Sequence, residues 1–271
     1  MPLAAAIQAL QALDDPRAEA EWLLAQVTGL PRGRIQAGIF DPLSQAQEAA
    51  FKRAVARRAA GEPFAYISGE QPFWKHRFVV TPAVLIPRPD TECLVEEALA
   101  VMGDCAAAVL DLCTGSGCVA ISLALDAPQA RVWASDVSEA ALAVAQKNAR
   151  RLSAPVYWAV ADGLALPPDW PARFTVITAN PPYIAAQDSH LPALRHEPTL
   201  ALVSGADGLA LIRRLVREAP ARLEADGALL LEHGHDQGAA VRDLMRAEGF
   251  TAVRTRRDYG GNERITMGFR P

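Results

Sequence analysis

Phe174-Thr175-Val176-Ile177-Thr178-Ala179 runs straight into Asn180-Pro181-Pro182-Tyr183. The first part is a short apolar, β-branched run bounded by a turn signal, which reads as a buried strand. The second part cannot prolong it, because two consecutive prolines bring no N–H to the ladder. The chain must leave the sheet just after Asn180. An asparagine amide, two free carbonyls and an aromatic ring therefore collect at the carboxyl end of a strand. Open α/β sheets bind their ligands at that edge.

Working outward, the sequence from residue 107 alternates between strand and helix patterns. Strands are expected at Ala108–Leu112, Arg131–Ser135, Val156–Val160, Phe174–Ala179, Ala228–Glu232, Thr251–Arg254 and Arg264–Phe269. Helices are expected at Val119–Leu125, Glu139–Leu152, Leu209–Glu224 and Gln237–Glu248. Such alternation builds a mostly parallel sheet covered on both faces. Tyr259-Gly260-Gly261-Asn262 leaves no room for a crossover helix, so the last two strands pair antiparallel.

Residues 3–60 read as helices. Asp15-Pro16 is a helix start and Gly29 a stop, while Ser44-Gln45-Ala46-Gln47 fits a capping box for a helix running to Gly61. Lys52, Arg53, Arg57 and Arg58 on that helix suit either a solvated face or a docking surface for a protein. Residues 62–88 are rich in strand formers (Phe64, Tyr66, Phe73, Trp74, Phe78), broken by Gly69 and Pro72, and read as a β-hairpin. Pro87-Arg88-Pro89 is stiff, and Asp90 is placed to N-cap the next helix.

The 271 residues are half hydrophobic and carry a net charge of −4, ample for a sizeable core and wrong for a duplex-binding surface. Cys93, Cys105, Cys113 and Cys118 show no C-x-x-C spacing. The start, Met1 to Leu13, lacks a basic n-region, and no apolar run approaches a membrane span. A cytoplasmic protein with reduced thiols is expected.

Asp111-Leu112-Cys113-Thr114-Gly115-Ser116-Gly117 falls where the first parallel strand turns into a helix. Gly115 and Gly117 let the backbone approach a ligand, though a plain tight turn would use the same glycines. Asp136 ends the second strand, where its carboxylate can accept from two ribose hydroxyls, and Asp162 after the third strand is a candidate partner for an adenine amine. No Walker lysine follows the glycines, so a polyphosphate is not expected. S-adenosylmethionine fits: ribose, adenine and a zwitterionic amino acid. At the fourth strand, the Asn180 side-chain carbonyl and the Pro181 backbone carbonyl can hold both hydrogens of a planar NH2 group, with Tyr183 packed on its flat face. Catalysis would then be orientation and preorganised electrostatics.

Asn180–Tyr183 resembles the (Asn/Asp/Ser)-Pro-Pro-(Tyr/Phe) motif of amino-methyltransferases that act on adenine, cytosine or glutamine. Leu85-Ile86-Pro87-Arg88-Pro89-Asp90-Thr91-Glu92, Leu230-Leu231-Glu232-His233-Gly234 and Arg257-Asp258-Tyr259-Gly260-Gly261-Asn262-Glu263-Arg264 closely resemble the HemK/PrmC family of release-factor glutamine methyltransferases. The similarity runs from about Glu62 to the C-terminus.

The resemblance implies a seven-stranded Rossmann-like class I methyltransferase domain over 89–271, a β-hairpin linker over 61–88 and a helical substrate-recognition domain over 1–60. It also implies S-adenosylmethionine on Cys113, Thr114, Gly115, Ser116, Gly117, Asp136 and Asn180, to which the strand-end reading adds Asp162, and a substrate glutamine on Asn180, Pro181, Pro182 and Tyr183. That glutamine would be the one in the Gly-Gly-Gln motif of class-one peptide chain release factors, with no stable nucleic-acid or membrane partner. Two positions depart from the pattern: Cys113 stands where many relatives have Gly, and Gly163 where an aromatic residue is frequent. A ribosomal protein or nucleic-acid adenine is the rival substrate, and a binding module without catalysis the rival class.

Other features have plainer readings. His233-Gly234-His235-Asp236 lacks zinc-site spacing and reads as a strand end bordering the site. Cys113 and Cys118 have no neighbouring His base for nucleophilic chemistry. Arg88 and Glu92 suit a lid or a local ion pair, and His196-Glu197-Pro198 falls in a long segment expected to roof the pocket.

Overall fold

The computed structural model describes residues 3–271, so the first two residues of the expected 1–60 helical segment lie outside it. Two compact units divide the chain, one up to Glu70 and one from Gln71 onward. The first is helical: α1 (Leu3–Ala9), α2 (Pro16–Thr28), α3 (Arg32–Gln36), α4 (Gln45–Ala59) and α5 (Phe64–Ser68). Their caps follow the sequence. Asp15 accepts from the Ala18 amide, Gly29 closes α2 in a left-handed conformation, and Ser44 with Gln47 forms a complete capping box. Leu10, Leu23, Leu24, Ile35, Phe51 and Val55 make its core. Of the basic residues on α4, Arg57 pairs with Glu62 and Arg58 with Glu19.

Helix α5 corrects the hairpin reading at Phe64 and Tyr66. Pro63 opens the turn and Gly69, with φ of 78°, closes it, so start and stop signals outweigh the strand propensity of the aromatics. The hairpin is shorter: β1 (Glu70–Phe73) and β2 (His76–Val79) form a two-stranded sheet.

In the second unit follow α6 (Glu92–Met102), β3 (Ala108–Leu112), α7 (Cys118–Asp126), β4 (Arg131–Asp136), α8 (Glu139–Leu152), β5 (Val156–Val160), β6 (Phe174–Ala179), α9 (Ala210–Glu218), β7 (Leu223–Glu232), α10 (Gly238–Ala247), β8 (Thr251–Arg257) and β9 (Glu263–Phe269). The seven later strands form one sheet in the order β5-β4-β3-β6-β7-β9-β8. All pairs are parallel except β7–β9 and β8–β9.

Strand periodicity sends alternate residues to opposite faces. Val109, Val132, Val176 and Leu230 pack with α6 and α7 on one face. Leu110, Trp133, Ile177 and Leu229 pack with α9 and α10 on the other. Burial on both faces is why these strands read as continuous apolar runs.

Two element ends differ from expectation. The helix expected to reach Glu224 stops at Glu218 and tightens into a 3-10 turn, Ala219–Ala221, because Pro220 has no N–H to continue it. Strand β7 then starts at Leu223 rather than Ala228. Asp90 does not cap α6: it sits inside a 3-10 turn, Pro89–Thr91, and its carboxylate lies 3.4 Å from Arg264. Among the described residues no helix is long and apolar enough to cross a membrane.

Candidate functional site

β3 is flanked by β4 on one side and β6 on the other, so the loops leaving their carboxyl ends diverge and open a crevice. A cavity of about 300 Å³ fills it. Its lining comes from the turn after β3 (Cys113, Thr114, Gly115, Ser116), the end of β4 (Asp136, Val137, Ser138), the end of β5 (Ala161, Asp162, Gly163) and the corner after β6 (Asn180, Pro182). The sequence-predicted donor residues, Gly117 apart, thus converge on one cavity wall.

The turn after β3 is held from below. Asp111, 1% exposed, accepts from the Thr114 hydroxyl at 2.6 Å and the Thr178 hydroxyl at 2.8 Å. Burial pushes its carboxyl up to about 7, against those two hydrogen bonds. Cys113 takes φ of 56°, and Gly115 and Gly117 take 55° and 80°. A Cβ on Gly117 would meet Ile121 at 3.0 Å, Ala145 at 3.1 Å and Trp158 at 3.2 Å, whereas one on Gly115 meets nothing nearer than the Cys113 carbonyl at 4.0 Å. Gly117 therefore serves helix packing, and Gly115 serves the cavity. Burial raises the Cys113 thiol far above its usual range and the Cys118 thiol to about 12, so neither is a nucleophile at neutral pH.

Asp136 accepts from the amides of Gly115 and Ser138, both at 2.9 Å, which fixes both oxygens and leaves lone pairs toward the cavity. Asp162 lines the cavity at the end of β5. It is largely exposed and clamped by Arg214 through contacts of 3.1 and 2.5 Å, which hold its carboxyl below the usual range. The Arg214 guanidinium also occupies the space a Cβ on Gly163 would need.

At the corner after β6, Asn180 Nδ2 donates to the Thr91 hydroxyl at 3.1 Å. The Asn180 Oδ1 and the Pro181 carbonyl have no hydrogen-bond partner among the described residues. The Tyr183 hydroxyl donates to Glu232 at 3.4 Å, its carbonyl accepts from Gln237 Nε2 at 3.0 Å, and burial raises its phenol. Gly208 packs so tightly under that carbonyl that a Cβ there would strike it.

The three segments that carry the family resemblance meet at one side chain. Arg264 contacts Asp90 at 3.4 Å, Asp258 at 3.0 Å and the His233 carbonyl at 3.3 Å. The roof is Pro198, Leu200 and Ala201. It is tied down by Glu197, which accepts from the Ile86 amide at 3.1 Å and pairs with Arg88. Arg88 and Glu92 are not partners of one another: Glu92 accepts from the Trp74 amide at 2.7 Å. The His233 ring bonds Thr266 at 2.7 Å and the Gly234 carbonyl at 2.8 Å.

Comparison with known proteins fits this layout. Residues 3–69 match the PrmC N-terminal domain family, and residues 90–197 match the methyltransferase small domain family. The release factor glutamine methyltransferase of Bordetella pertussis is 49% identical over 94% of this chain and 95% of its own length. The chain belongs to the release factor glutamine methyltransferase family. Its Escherichia coli member is 42% identical over 97% of this chain and 95% of its own length. A methyltransferase structure from Pyrococcus furiosus, 16% identical, superposes with a TM-score of 0.54 over 84% of this chain and 99% of that one, which establishes the class I methyltransferase fold.

Several residues of this family member were not singled out as site residues by sequence reasoning. Asp111 and Thr178 look like ordinary strand residues, and their bond crosses between neighbouring strands. Thr91 follows a Pro-x-Pro segment with no periodicity to mark it. Arg214 sits on a helix as one of several arginines. Each is defined by a long-range contact that no local pattern encodes. Only Glu232, an acid ending an otherwise apolar strand, left a local signal.

Proposed function

We propose that this protein methylates the side-chain amide nitrogen of the glutamine in the Gly-Gly-Gln motif of class-one peptide chain release factors, with S-adenosylmethionine as donor. The observation that carries this reading is the corner after β6. Two acceptors, the Asn180 Oδ1 and the Pro181 carbonyl, have no partner among the described residues, while the Asn180 NH2 is already committed to Thr91; Asn180 and Pro182 line the cavity, and Pro181 is buried between them.

The cavity suits the donor on its own chemistry. Ser116 and Ser135 line the cavity, and Asp136 keeps lone pairs there beyond the two amides that fix it. Three acidic side chains line it (Asp111, Asp136 and Asp162, the last paired with Arg214) against one basic side chain, Arg88, which is paired with Glu197. That balance disfavours a pyrophosphate and accommodates a cation. Asp136 would take the ribose hydroxyls, the Cys113–Gly117 turn the amino-acid part, and Val137, Ala161 and Leu211 the adenine. Asp162 would serve at the rim, held by Arg214. When bound, S-adenosylmethionine supplies an electrophilic methyl group on a sulfonium centre.

The protein's own part is to orient a poor nucleophile. An amide nitrogen is weak because its lone pair is delocalised. Asn180 and Pro181 accept its two hydrogens, raise electron density on nitrogen and turn it toward the donor end of the cavity. Pro182 stiffens the corner, and Tyr183 supports the flat face of the amide. A strong general base is unnecessary, because the nitrogen becomes very acidic once alkylated.

The helical segment 1–60 would grip the release factor away from its glutamine loop, with 61–88 as linker and 89–271 as the catalytic part. The net charge of −4 favours a protein partner over nucleic acid. Four unpaired cysteines suit the cytoplasm, where release factors act. The test is transfer of labelled methyl to unmethylated release factor, beside a version with the Gly-Gly-Gln glutamine changed to alanine. Label in the first alone supports the reading; label in both, or in neither with donor binding intact, refutes it.

A further inference from the structure

Arg214 stands on α9 three residues after Leu211, so the two are neighbours on one helix face. Leu211 lines the cavity together with Asp162 and Gly163 at the end of β5. Arg214 closes a two-pronged grip on the Asp162 carboxylate: Nη1 donates to Oδ2 at 3.1 Å and Nη2 to Oδ1 at 2.5 Å. That grip needs a missing side chain. Gly163 takes φ of 59°, and a Cβ there would collide with Arg214 Nη2 and lie 3.1 Å from Cζ and 3.2 Å from Nε. The guanidinium itself thus fills the space beside residue 163. Glu218, one turn further along α9, places its Oε1 3.9 Å from the Arg214 Nε.

We propose that Arg214 is a positioning residue for donor specificity: it fixes the Asp162 carboxylate as the acceptor for the exocyclic amine of adenine, in room that Gly163 leaves. The proposal rests on the reading of the cavity as the S-adenosylmethionine site with Asp162 at the adenine. The Asp162 side chain is 66% exposed, and without a clamp it would exchange among staggered rotamers. An exposed ion pair adds little stability, so the value of this one lies in its geometry. The planar fork meets both oxygens at once and sets the plane of the carboxylate. Each oxygen spends one lone pair on Arg214 and keeps another.

The bond from Arg214 also holds the Asp162 carboxyl below its usual range, so it stays ionised and can only accept. Such a group takes an NH2 at position 6 of a purine. It turns away a carbonyl there, because acceptor would face acceptor.

The test measures binding of S-adenosylhomocysteine and of S-inosylhomocysteine, its counterpart with a carbonyl at position 6, by calorimetry on the full chain. The readout is the ratio of the two Kd values, to which a purely structural loss contributes nothing because it weakens both ligands alike. The unaltered protein should prefer the adenine form, and Asp162→Ala should cut that preference at least about fivefold. Arg214→Met should cut it about threefold or more. Gly163→Ala should do the same with Arg214 still present, because its methyl displaces the guanidinium, and should add nothing in an Arg214→Met background. A native preference in Arg214→Met or Gly163→Ala, beside a reduced one in Asp162→Ala, overturns the clamp and leaves the adenine reading standing. A further drop in the double variant overturns the part given to Gly163. A native preference in Asp162→Ala, or no binding of S-adenosylhomocysteine by the unaltered protein, overturns the adenine reading and the clamp with it.

Discussion

Replacing Gly117 with Ala separates the two glycines of the donor turn by their jobs. At Gly117 the added methyl enters a left-handed backbone with φ of 80° and lies 3.0 Å from Ile121, 3.1 Å from Ala145 and 3.2 Å from Trp158. The left-handed conformation costs about 1–2 kcal/mol for an L-residue, and crowding a packed core about 1–3 kcal/mol. Reduced freedom of the unfolded chain returns about 0.5–1 kcal/mol. The net is a destabilisation of about 1–4.5 kcal/mol, or about 2–18 °C in Tm for a unit of this size.

Gly115→Ala carries the same backbone strain but enters open space, so its stability loss should be no more than about 1.5 kcal/mol. Its methyl projects where the cavity lies, and the penalty should appear as weaker binding of S-adenosylmethionine. Urea denaturation of both variants and donor calorimetry at a temperature where both are folded make the comparison. Equal stability losses, or donor affinity lowered by Gly117→Ala and untouched by Gly115→Ala, would refute the division of labour.

Asn180→Ala should abolish methyl transfer to release factor while leaving donor Kd within about threefold, because the donor wall retains its other contacts; calorimetry beside a labelled-methyl assay reads both. Asp111 should give a pH-dependent stability difference. Its folded carboxyl titrates at about 7, well above the ordinary 3.8, so between those values the folded state holds a proton that the unfolded chain has released. Stability from this group is present at low pH and lost as pH rises through that window. Asp111→Asn should therefore gain on the unaltered protein from about pH 4 to about pH 7 in denaturant titrations; a difference independent of pH would contradict the buried titration. Glu197→Gln should loosen the roof by weakening its grip on Arg88 and Ile86, raising KM for donor more than it lowers kcat, as initial-rate kinetics would reveal.

Much of this architecture was legible because it is written in local chemistry. The Pro181-Pro182 pair ends β6 at Ala179 as the missing N–H groups require. The caps of α2 and α4 are where Asp15, Gly29, Ser44 and Gln47 place them. Strands buried on both faces announced themselves as apolar runs. Misreadings arose where two local signals competed, as at Phe64 and Tyr66, or where one proline cut a helix short, as at Pro220.

The candidate residues that gather at the cavity are those with a backbone signature: the glycine turn, the strand-end acid Asp136, and Asn180 and Pro182 at the Asn-Pro-Pro-Tyr corner. Their supporting layer was not legible, because Thr91 meets Asn180 across 89 residues and Asp111 meets Thr178 across 67. The Asp162–Arg214 clamp spans 52.

The divergence of loops on either side of β3 has a consequence for how such an enzyme can change. On the proposed reading, the donor wall comes from β3, β4 and β5, and the acceptor corner from β6, β7 and β9 with the segment before α6. These are separate stretches of chain, joined across the crevice by the bond between Asp111 and Thr178. Mutations that reshape the corner beyond Asn180 for another planar amine need not disturb the residues proposed to grip the cofactor. Selection can then exchange targets by editing one half of the sheet, while the other half is inherited unaltered.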